Sequence, residues 1–151
     1  MTARLVVICG LPGSGKTTLA TELEASMPAV RFCPDDWFTA LELDLWDQDL
    51  RYRLEAKQWE LAQQLLTLGV NVVIEFGSWA RAERDVLREG ARALGAAVEL
   101  RYLDVPLDEL VRRVEARAWE APPITRAHLE EWATVIEVPD AAELALFDPP
   151  T

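Results

Sequence analysis

Residues 5–17 read LVVICGLPGSGKT, an apolar run that leads directly into a glycine-rich turn ending in Lys-Thr. The apolar run predicts a strand over residues 4–9 that is buried on both faces, as strands of parallel sheets are. The turn has the pattern G-x-x-x-x-G-K-[ST] of phosphate-binding loops, and residues 18–27 follow it as a predicted helix. A strand, this loop and a helix in succession indicate an α/β fold.

Each residue type in the loop has a physical task in binding a nucleoside triphosphate. The glycines adopt backbone angles closed to other residues, so that successive N–H groups point at phosphate oxygens. Lys16 brings a positive charge to the β- and γ-phosphates, and Thr17 opens the helix with a hydroxyl placed to ligate Mg²⁺. A tight strand-to-helix turn alone would explain neither residue. The predicted nucleotide-binding residues are Gly10, Pro12, Gly13, Ser14, Gly15, Lys16, Thr17 and Thr18.

The composition fits one domain, residues 1–151, and argues against polyanionic partners. Half of the residues are apolar, which suffices for a core of ordinary size. The 26 acidic and 15 basic residues give a net charge of −11, which opposes nonspecific attraction to nucleic acid or anionic lipid. The first apolar run is too short for a signal peptide, and nothing approaches a membrane span. We therefore expect a soluble, cytoplasmic protein.

Strand and helix signals alternate along the rest of the chain, which predicts a parallel sheet with helices on both faces. Further strands are predicted over residues 30–33, 70–76 and 98–103. Predicted helices cover residues 48–68, 78–94, 106–118 and 126–136, with a last turn in 141–147. Polar residues in the fourth strand predict an edge position, and Ser78 and Thr125 are candidate helix caps. Cys9 and Cys33 end two predicted strands, and two small buried thiols are the favoured interpretation; a redox pair, which would require the strands to be neighbours, is the alternative.

Carboxylates follow two of the predicted strands, at the sheet edge where α/β folds bind ligands. Asp35 and Asp36 come after the second strand, and either one would accept a proton from an attacking hydroxyl or hold Mg²⁺ through water. Capping a following helix is the alternative role. Glu75 ends the third strand, where it would orient the water shell of the metal or form a buried ion pair.

Arg113 and Arg117 lie one turn apart on the predicted helix that precedes a break at residues 119–123. Phosphoryl transfer spreads negative charge over the γ-phosphate oxygens, and arginines on a mobile lid would neutralise it when the site closes. Ordinary pairing with neighbouring glutamates, such as Glu109 and Glu120, is the alternative. We treat the break as a hinge.

Six tryptophans are many for a chain of this length. Four of them, Trp37, Trp46, Trp79 and Trp119, fall in or beside predicted strand-end loops. There they would wall an apolar or ring-shaped acceptor, although ordinary packing is favoured for any single one of them. Trp59 and Trp132 are interpreted as core, and His128 as a surface residue.

The chain resembles the small P-loop kinases grouped with polynucleotide 5′-hydroxyl kinases, chloramphenicol phosphotransferase and zeta toxins. The resemblance covers nearly the whole chain. It is carried by GLPGSGKTT at residues 10–18, PDDWF at 34–38, and the pair Arg113/Arg117 ahead of PPIT at 122–125. It implies a single-domain α/β/α fold of three layers with four to five mostly parallel strands and a short helical lid at about residues 117–126.

The resemblance also implies roles for particular residues. Asp35 or Asp36 would be the general base, and Arg113 and Arg117 would contact the phosphoryl group that is transferred. Lys16 would hold the phosphates, Mg²⁺ would lie at Thr17 with Glu75 near its water shell, and ATP rather than GTP would be the donor.

Two departures bear on the acceptor. Polynucleotide kinases carry an arginine shortly after the paired aspartates, where this chain has Phe38, and they tend to end the third strand with Asp and Asn, where it reads IEFGSW. With the net charge, these differences favour a small hydroxylated acceptor over nucleic acid; antibiotics and nucleotide sugars are candidates by resemblance. We predict an ATP- and Mg-dependent phosphotransferase, with a 5′-hydroxyl polynucleotide kinase and a nucleotide-binding ATPase switch as alternatives.

Overall fold

The computed structural model describes residues 2–151, within which four strands form a sheet whose pairings are all parallel. The strands are β1 (Arg4–Cys9), β2 (Ala29–Phe32), β3 (Asn71–Gly77) and β4 (Ala97–Tyr102). Their order is β2-β3-β1-β4, which places β4 at an edge, as its polar residues predicted. Because β3 separates β1 from β2, Cys9 and Cys33 do not follow neighbouring strands. Both thiols are buried and free, which confirms the favoured interpretation and not the redox-pair alternative.

The central strands β1 and β3 carry the most apolar runs of the chain. Residues 5–9 and 72–74 are fully buried, as parallel strands covered on both faces must be. The register pairs Leu5 with Val72, Val6 with Val73 and Val7 with Ile74. Since the strands all run the same way, the loops that follow β1, β2 and β3 lie together at the carboxyl ends of the strands. There the Gly10 N–H donates to the Gly77 carbonyl, at 3.2 Å.

Helices cover both faces of the sheet. They are α1 (Lys16–Ser26), α2 (Pro34–Ala40), α3 (Gln48–Thr67), α4 (Arg81–Ala93), α5 (Leu107–Arg117), α6 (Arg126–Val135) and α7 (Ala141–Leu144). Ala20 of α1 packs with the apolar residues of one face, while Ala62 of α3 and Leu87 of α4 pack with those of the other. The predicted three-layer α/β/α fold is confirmed. Among residues 2–151, no helix is both long enough and apolar enough to cross a membrane.

Helices α5 and α6 pack against each other and share a small apolar cluster of their own. Its buried members are Leu110, Val111, Val114, Ile124 and Leu129. Leu11 of the phosphate-binding loop, Trp46 and Trp132 pack against this cluster. We call α5 and α6 the helix pair. It lies beside the phosphate-binding loop, and the segment predicted as a lid joins its two members.

Ser78 does not cap α4 as predicted. That helix begins at Arg81 with Ala80 as its N-cap residue, whose side chain makes no cap; the Glu137 carboxylate accepts from the Arg81 N–H instead. The backbone takes the left-handed conformation at both Gly77, with φ of 87°, and Ser78, with φ of 50°. The chain therefore turns sharply after β3, and the helix begins three residues later than its pattern predicts.

Three further predictions about the C-terminal third are corrected. Trp132 is half-buried rather than core. His128 is also half-buried, because its Nδ1 accepts from the Thr125 N–H at 3.0 Å while the Thr125 hydroxyl accepts from the His128 N–H at 3.3 Å. Thr125 is thus the predicted cap of α6, with a partner that was missed. In the tail, Phe147 packs into the core, but Leu144 is exposed.

Candidate active site

The carboxyl ends of β1, β2 and β3 open into a cavity of about 810 Å³, within the range of small-molecule sites. The phosphate-binding loop forms its floor. Helix α5 of the helix pair supplies one side, and α3 with the start of α4 supplies the other. The predicted nucleotide-binding residues that line the cavity are Gly10, Pro12, Gly13, Gly15, Lys16, Thr17 and Thr18. Ser14 is buried, and its hydroxyl has no partner among the described residues.

The loop has the backbone geometry that an anion site needs. Gly13 and Gly15 have φ of 84° and 96°, a region that other residues rarely adopt. A Cβ atom at Gly13 would come within 3.1 Å of the Leu110 carbonyl, so the glycine also lets α5 approach closely. Gly15 is the N-cap of α1 and offers no side chain to the first-turn N–H groups, which an anion can therefore occupy.

Lys16 carries a partly buried ammonium group that has neutral partners. Its Nζ donates to the carbonyls of Gly10 and Leu11, at 3.1 and 3.0 Å. Burial lowers the pKa of Lys16 to about 8, and the negative charge of nearby Asp35 opposes that shift. A buried cation held by carbonyls alone is poorly compensated. The loop therefore fits a phosphate group, which supplies the missing negative charge.

Glu75 forms the ion pair that was predicted as one of its two roles, and it also contacts Thr17; its role at the water shell of the metal stays a prediction. Its Oε1 accepts from the Thr17 hydroxyl at 2.8 Å, and its Oε2 accepts from Arg31 Nη1 at 2.6 Å. Hydroxyl and carboxylate oxygens are ligands that suit Mg²⁺, which keeps several waters in such sites. Thr17 could hold the metal directly and Glu75 through water. Within residues 2–151, no cluster of three or more His, Cys, Asp or Glu side chains forms a separate metal site.

The two aspartates differ in where their side chains lie. Both belong to the first turn of α2. Asp35 lines the cavity, and its Oδ1 accepts from Arg51 Nη2 at 2.9 Å. Asp36 is exposed, and its carboxylate pairs with Arg31 at 2.7 Å. The geometry thus brings Asp35, and not Asp36, to the cavity beside Lys16.

Both predicted arginines of α5 line the cavity, and both are already paired. Arg113 donates from Nε to Glu109 at 2.9 Å and from Nη1 to the Gly13 carbonyl at 3.1 Å. Arg117 pairs with Glu120 at 2.6 Å, and its guanidinium lies 4.4 Å from the ring centroid of Trp119. The glutamate pairing considered as an alternative to a phosphate-binding role is therefore present. It holds both guanidinium groups at the cavity.

Four tryptophans line the cavity, and we call them the aromatic wall: Trp46, Trp79, Trp119 and Trp132. The centroid of the Trp132 ring lies 6.1 Å from that of Trp46 and 5.7 Å from that of Trp79. The indole N–H of Trp46 donates to the Pro122 carbonyl at 2.7 Å, which ties the α2–α3 connection to the connection between α5 and α6. Trp37 instead packs against Phe32.

A buried arginine fixes the position of the loop that carries Trp79. Arg84 is fully buried, and both ends of its guanidinium pair with Glu143 at 2.6 and 2.8 Å. The same group donates to the carbonyls of Ser78, Trp79 and Glu137, at 2.9, 3.0 and 2.7 Å. The loop after β3, the start of α4 and the C-terminal tail are thus held by a single side chain.

The sequence reasoning missed several residues that line the cavity or pair with those that do: Arg31, Arg51, Tyr52, Glu55 and Glu83. A signal was present for two of them. The buried stripe of α3 is Gln58, Ala62 and Leu66, and the same helical spacing continued toward the N-terminus reaches Glu55 and Arg51. Polar residues that continue an apolar stripe indicate a polar site at that end of the helix.

Glu55 is the carboxylate of the cavity whose pKa lies furthest from its ordinary value. Burial raises the pKa of Glu55 to about 7, the nearby charges of Glu83 and Asp35 add to the shift, and Arg51 opposes it. A carboxyl whose pKa is higher in the folded protein favours folding less as pH rises, because the unfolded chain ionises first. The cost begins near the ordinary pKa of 4.5 and is complete above about 7.

Glu55→Gln should therefore stabilise the protein at high pH and leave it nearly unchanged at low pH. We expect the free energy of unfolding to rise by about 1–3 kcal/mol near pH 8 and by less than about 0.5 kcal/mol near pH 4, measured by urea titration. The control is Glu60→Gln, an exposed position of the same helix that faces Lys57. An equal rise in the free energy of unfolding at both pH values would show that ionisation of Glu55 is not its cause.

Three features define a nucleotide-binding P-loop protein of the kinase-like class. They are the loop between β1 and α1, the adjacency of β1 and β3, and the polar residues at the strand ends. The chain belongs to the AAA_33 (AAA domain) family, a family of P-loop kinases whose model matches residues 5–139. The predicted resemblance to small P-loop kinases is thereby confirmed. No curated protein sequence matches the chain significantly.

Several solved structures share the fold. A chain of the Pnkp1/Rnl/Hen1 RNA repair complex has a TM-score of 0.75 and 24% identity over 97% of this chain and 47% of that one. A sugar kinase from Janibacter sp. HTCC2649 has a TM-score of 0.69 and 25% identity over 93% and 82% of the two chains. A gluconokinase from Sinorhizobium meliloti 1021 has a TM-score of 0.66 and 19% identity over 95% and 80%. This chain spans about half of the RNA repair chain.

Proposed function

We propose that the protein transfers the γ-phosphoryl group of ATP to a hydroxyl of a small molecule in a Mg²⁺-dependent reaction in the cytoplasm. One observation carries the proposal: the carboxylate of Asp35 lines the same cavity as Lys16, Arg113 and Arg117. A module that only binds or slowly hydrolyses nucleotide needs the loop but has no use for a carboxylate beside an acceptor pocket.

Asp35 is the general base in this proposal. The acceptor oxygen forms a bond to the γ-phosphorus, the bond from that phosphorus to the oxygen bridging it to ADP breaks, and the acceptor proton passes to the Asp35 carboxylate. Arg51 orients this carboxylate through the 2.9 Å ion pair. Asp36, which pairs with Arg31 outside the cavity, has no direct role.

The other residues hold the donor and neutralise charge. Lys16 and the loop N–H groups hold the phosphates. Thr17 and Glu75 are the residues that would hold Mg²⁺, which would supply positive charge to the phosphates of ATP. Arg113 and Arg117, which line the same cavity, neutralise the negative charge that develops on the transferred group.

A lid at about residues 117–126 completes the proposal. These residues join the two members of the helix pair, and the hydrogen bond from Trp46 to Pro122 spans from that segment to the α2–α3 connection. Closure over the cavity would exclude water and so suppress hydrolysis of ATP in favour of transfer.

The test is transfer itself. The protein and its Lys16→Ala variant would be incubated with Mg-ATP and a pooled panel of alcohols, nucleosides, antibiotics and 5′-hydroxyl oligonucleotides, with products read by mass spectrometry. We expect a phosphorylated small molecule that only the native protein makes, and at least a 100-fold loss in the variant, about the size that loss of phosphate-binding charge produces.

Other outcomes would contradict the proposal. Phosphorylation of oligonucleotides with a steep dependence on salt would favour a 5′-hydroxyl polynucleotide kinase. Release of ADP without any phosphorylated product, and with nucleotide-dependent binding of another protein, would favour a switch.

A further inference from the structure

Acidic side chains line the cavity on several of the elements that surround it. Four of them are glutamates on α3, at the start of α4, on α6 and after α6: Glu55, Glu83, Glu131 and Glu137. Arg51, the cation whose charge acts on Glu55, is already neutralised by Asp35 at 2.9 Å. The two arginines of α5 are paired with glutamates as well. A ligand beside these glutamates therefore meets an excess of negative charge.

Glu55 and Glu83 lie on helices that pack side by side, and their charges act on each other. Within residues 2–151, neither carboxylate receives a hydrogen bond. Glu55 is half-buried, and burial raises its pKa to about 7; Glu83 is exposed, and partial burial of its carboxyl raises its pKa as well. Holding these two like charges at one cavity costs folding free energy. Proteins retain costs of this kind at binding sites, where a ligand of opposite charge removes them.

A second feature of the cavity is a serine without a partner, in the loop after β3 that lies beside Gly10. Ser78 lines the cavity and is 2% exposed, and its hydroxyl has no hydrogen-bond partner among the described residues. The left-handed backbone at Ser78 and the bond from Arg84 to its carbonyl hold the residue in place. A buried polar atom left unpaired is destabilising, and a polar group of a ligand would satisfy it.

The aromatic wall adds the remaining element of recognition. Trp79 and Trp132 line the same cavity as Glu83, and their ring centroids lie 5.7 Å apart. Indole rings attract ammonium groups through their faces and pack well against the carbon skeleton of a sugar or cyclitol. Carboxylates beside indole rings form a site for a cation that carries an apolar or ring-shaped body.

We propose that the phosphoryl acceptor carries a basic amine, and that Glu55 and Glu83 bind its ammonium group while Trp79 and Trp132 pack against its carbon skeleton. The acceptor is thus an amino sugar, an aminocyclitol or an amino alcohol. This inference rests on the proposed kinase function and narrows it. Anionic acceptors such as sugar acids and nucleotides are disfavoured by the same four glutamates and by the net charge of −11, which attracts cations over a distance.

The test compares acceptors that differ only in charge. The matched sets are glucosamine, glucose and gluconate; 2-deoxystreptamine and myo-inositol; and ethanolamine, ethylene glycol and glycolate. Transfer from ATP is measured for each compound, and its binding is measured in parallel by thermal stabilisation of the protein loaded with a non-hydrolysable ATP analogue. We expect the amine of at least one set to exceed its neutral partner by about tenfold or more in kcat/KM or in affinity.

Variants assign the preference to residues. Glu83→Gln and Glu55→Gln should each lower the ratio of amine to neutral acceptor by about tenfold, with little change for the neutral compound. Glu89→Gln on α4 and Glu60→Gln on α3 are exposed controls that should keep the native ratio. Because Glu55→Gln is also expected to stabilise the fold, a loss of amine preference in that variant cannot be ascribed to unfolding.

The two proposals fail in different ways. Transfer to neutral or anionic acceptors without preference for the amine would overturn this inference and leave the kinase intact. Binding of amines over their neutral partners without transfer would support the cation site and count against the kinase. Equal binding, or no binding, of all members of every set in both assays would overturn the inference.

Discussion

Replacing Asp35 by asparagine is expected to lower the turnover number for phosphoryl transfer by about 10³-fold, because the amide cannot accept the proton of the attacking hydroxyl. The amide oxygen still accepts from Arg51, so the cavity should keep its shape and the variant its stability. The affinity for ATP should change by less than about threefold, since the loop holds the phosphates. Single-turnover transfer and calorimetric titration with ATP measure the two quantities separately.

The neighbouring aspartate provides a matched control. Asp36→Asn changes the same chemical group one residue away, on an exposed side chain that pairs with Arg31. Exposed ion pairs contribute about 1 kcal/mol or less to stability, so loss of this pair should leave the fold intact. We therefore expect turnover within about threefold of native. Full activity of Asp35→Asn, or loss of activity in Asp36→Asn alone, would show that Asp35 is not the general base.

Arg117→Ala is the second substitution from which we expect a large effect. Loss of a guanidinium that neutralises the transferred group should lower turnover by about 10³-fold, while KM for ATP stays within about threefold. Arg117→Lys retains the charge but not the planar fork, and it should recover only part of the rate. Steady-state kinetics over a range of ATP concentrations separates turnover from KM.

Arg112→Ala is the control on the same helix. Its side chain is exposed, pairs with Glu109 and lies outside the cavity lining. Native turnover is expected. If Arg117→Ala also showed native turnover, the pair with Glu120 would be purely structural, and charge neutralisation would have to be reassigned to Arg113 alone.

Local patterns in the sequence predicted the strands, the phosphate-binding loop and the parallel sheet because each depends on residues close together in the chain. The G-x-x-x-x-G-K-[ST] pattern and the apolar runs of β1 and β3 are of this kind. The sequence also predicted that Asp35 and Arg117 lie at the cavity, since periodicity locates the end of a strand and the helix that precedes a break. Their chemical roles remain predictions.

What the sequence did not reveal depends on partners far apart in the chain. Arg31 meets Glu75 across 44 residues, and nothing near either one predicts the pair. The cap formed by His128 is local, but it uses an imidazole where the usual patterns use glutamate or glutamine. The redox-pair alternative failed because the strand order, in which β3 enters between β1 and β2, is set by long-range packing.

The pair between Arg84 and Glu143 has a consequence for where the folded unit ends. The family model stops at residue 139, yet Glu143 lies beyond it and supplies both oxygens that neutralise a fully buried guanidinium. A fragment cut at the family boundary would leave that charge uncompensated, at a cost of about 3–5 kcal/mol. It would also loosen the loop of Ser78 and Trp79. The folded unit therefore extends beyond the segment that the family model matches, and the C-terminal tail supports the loop that carries Trp79 through Arg84.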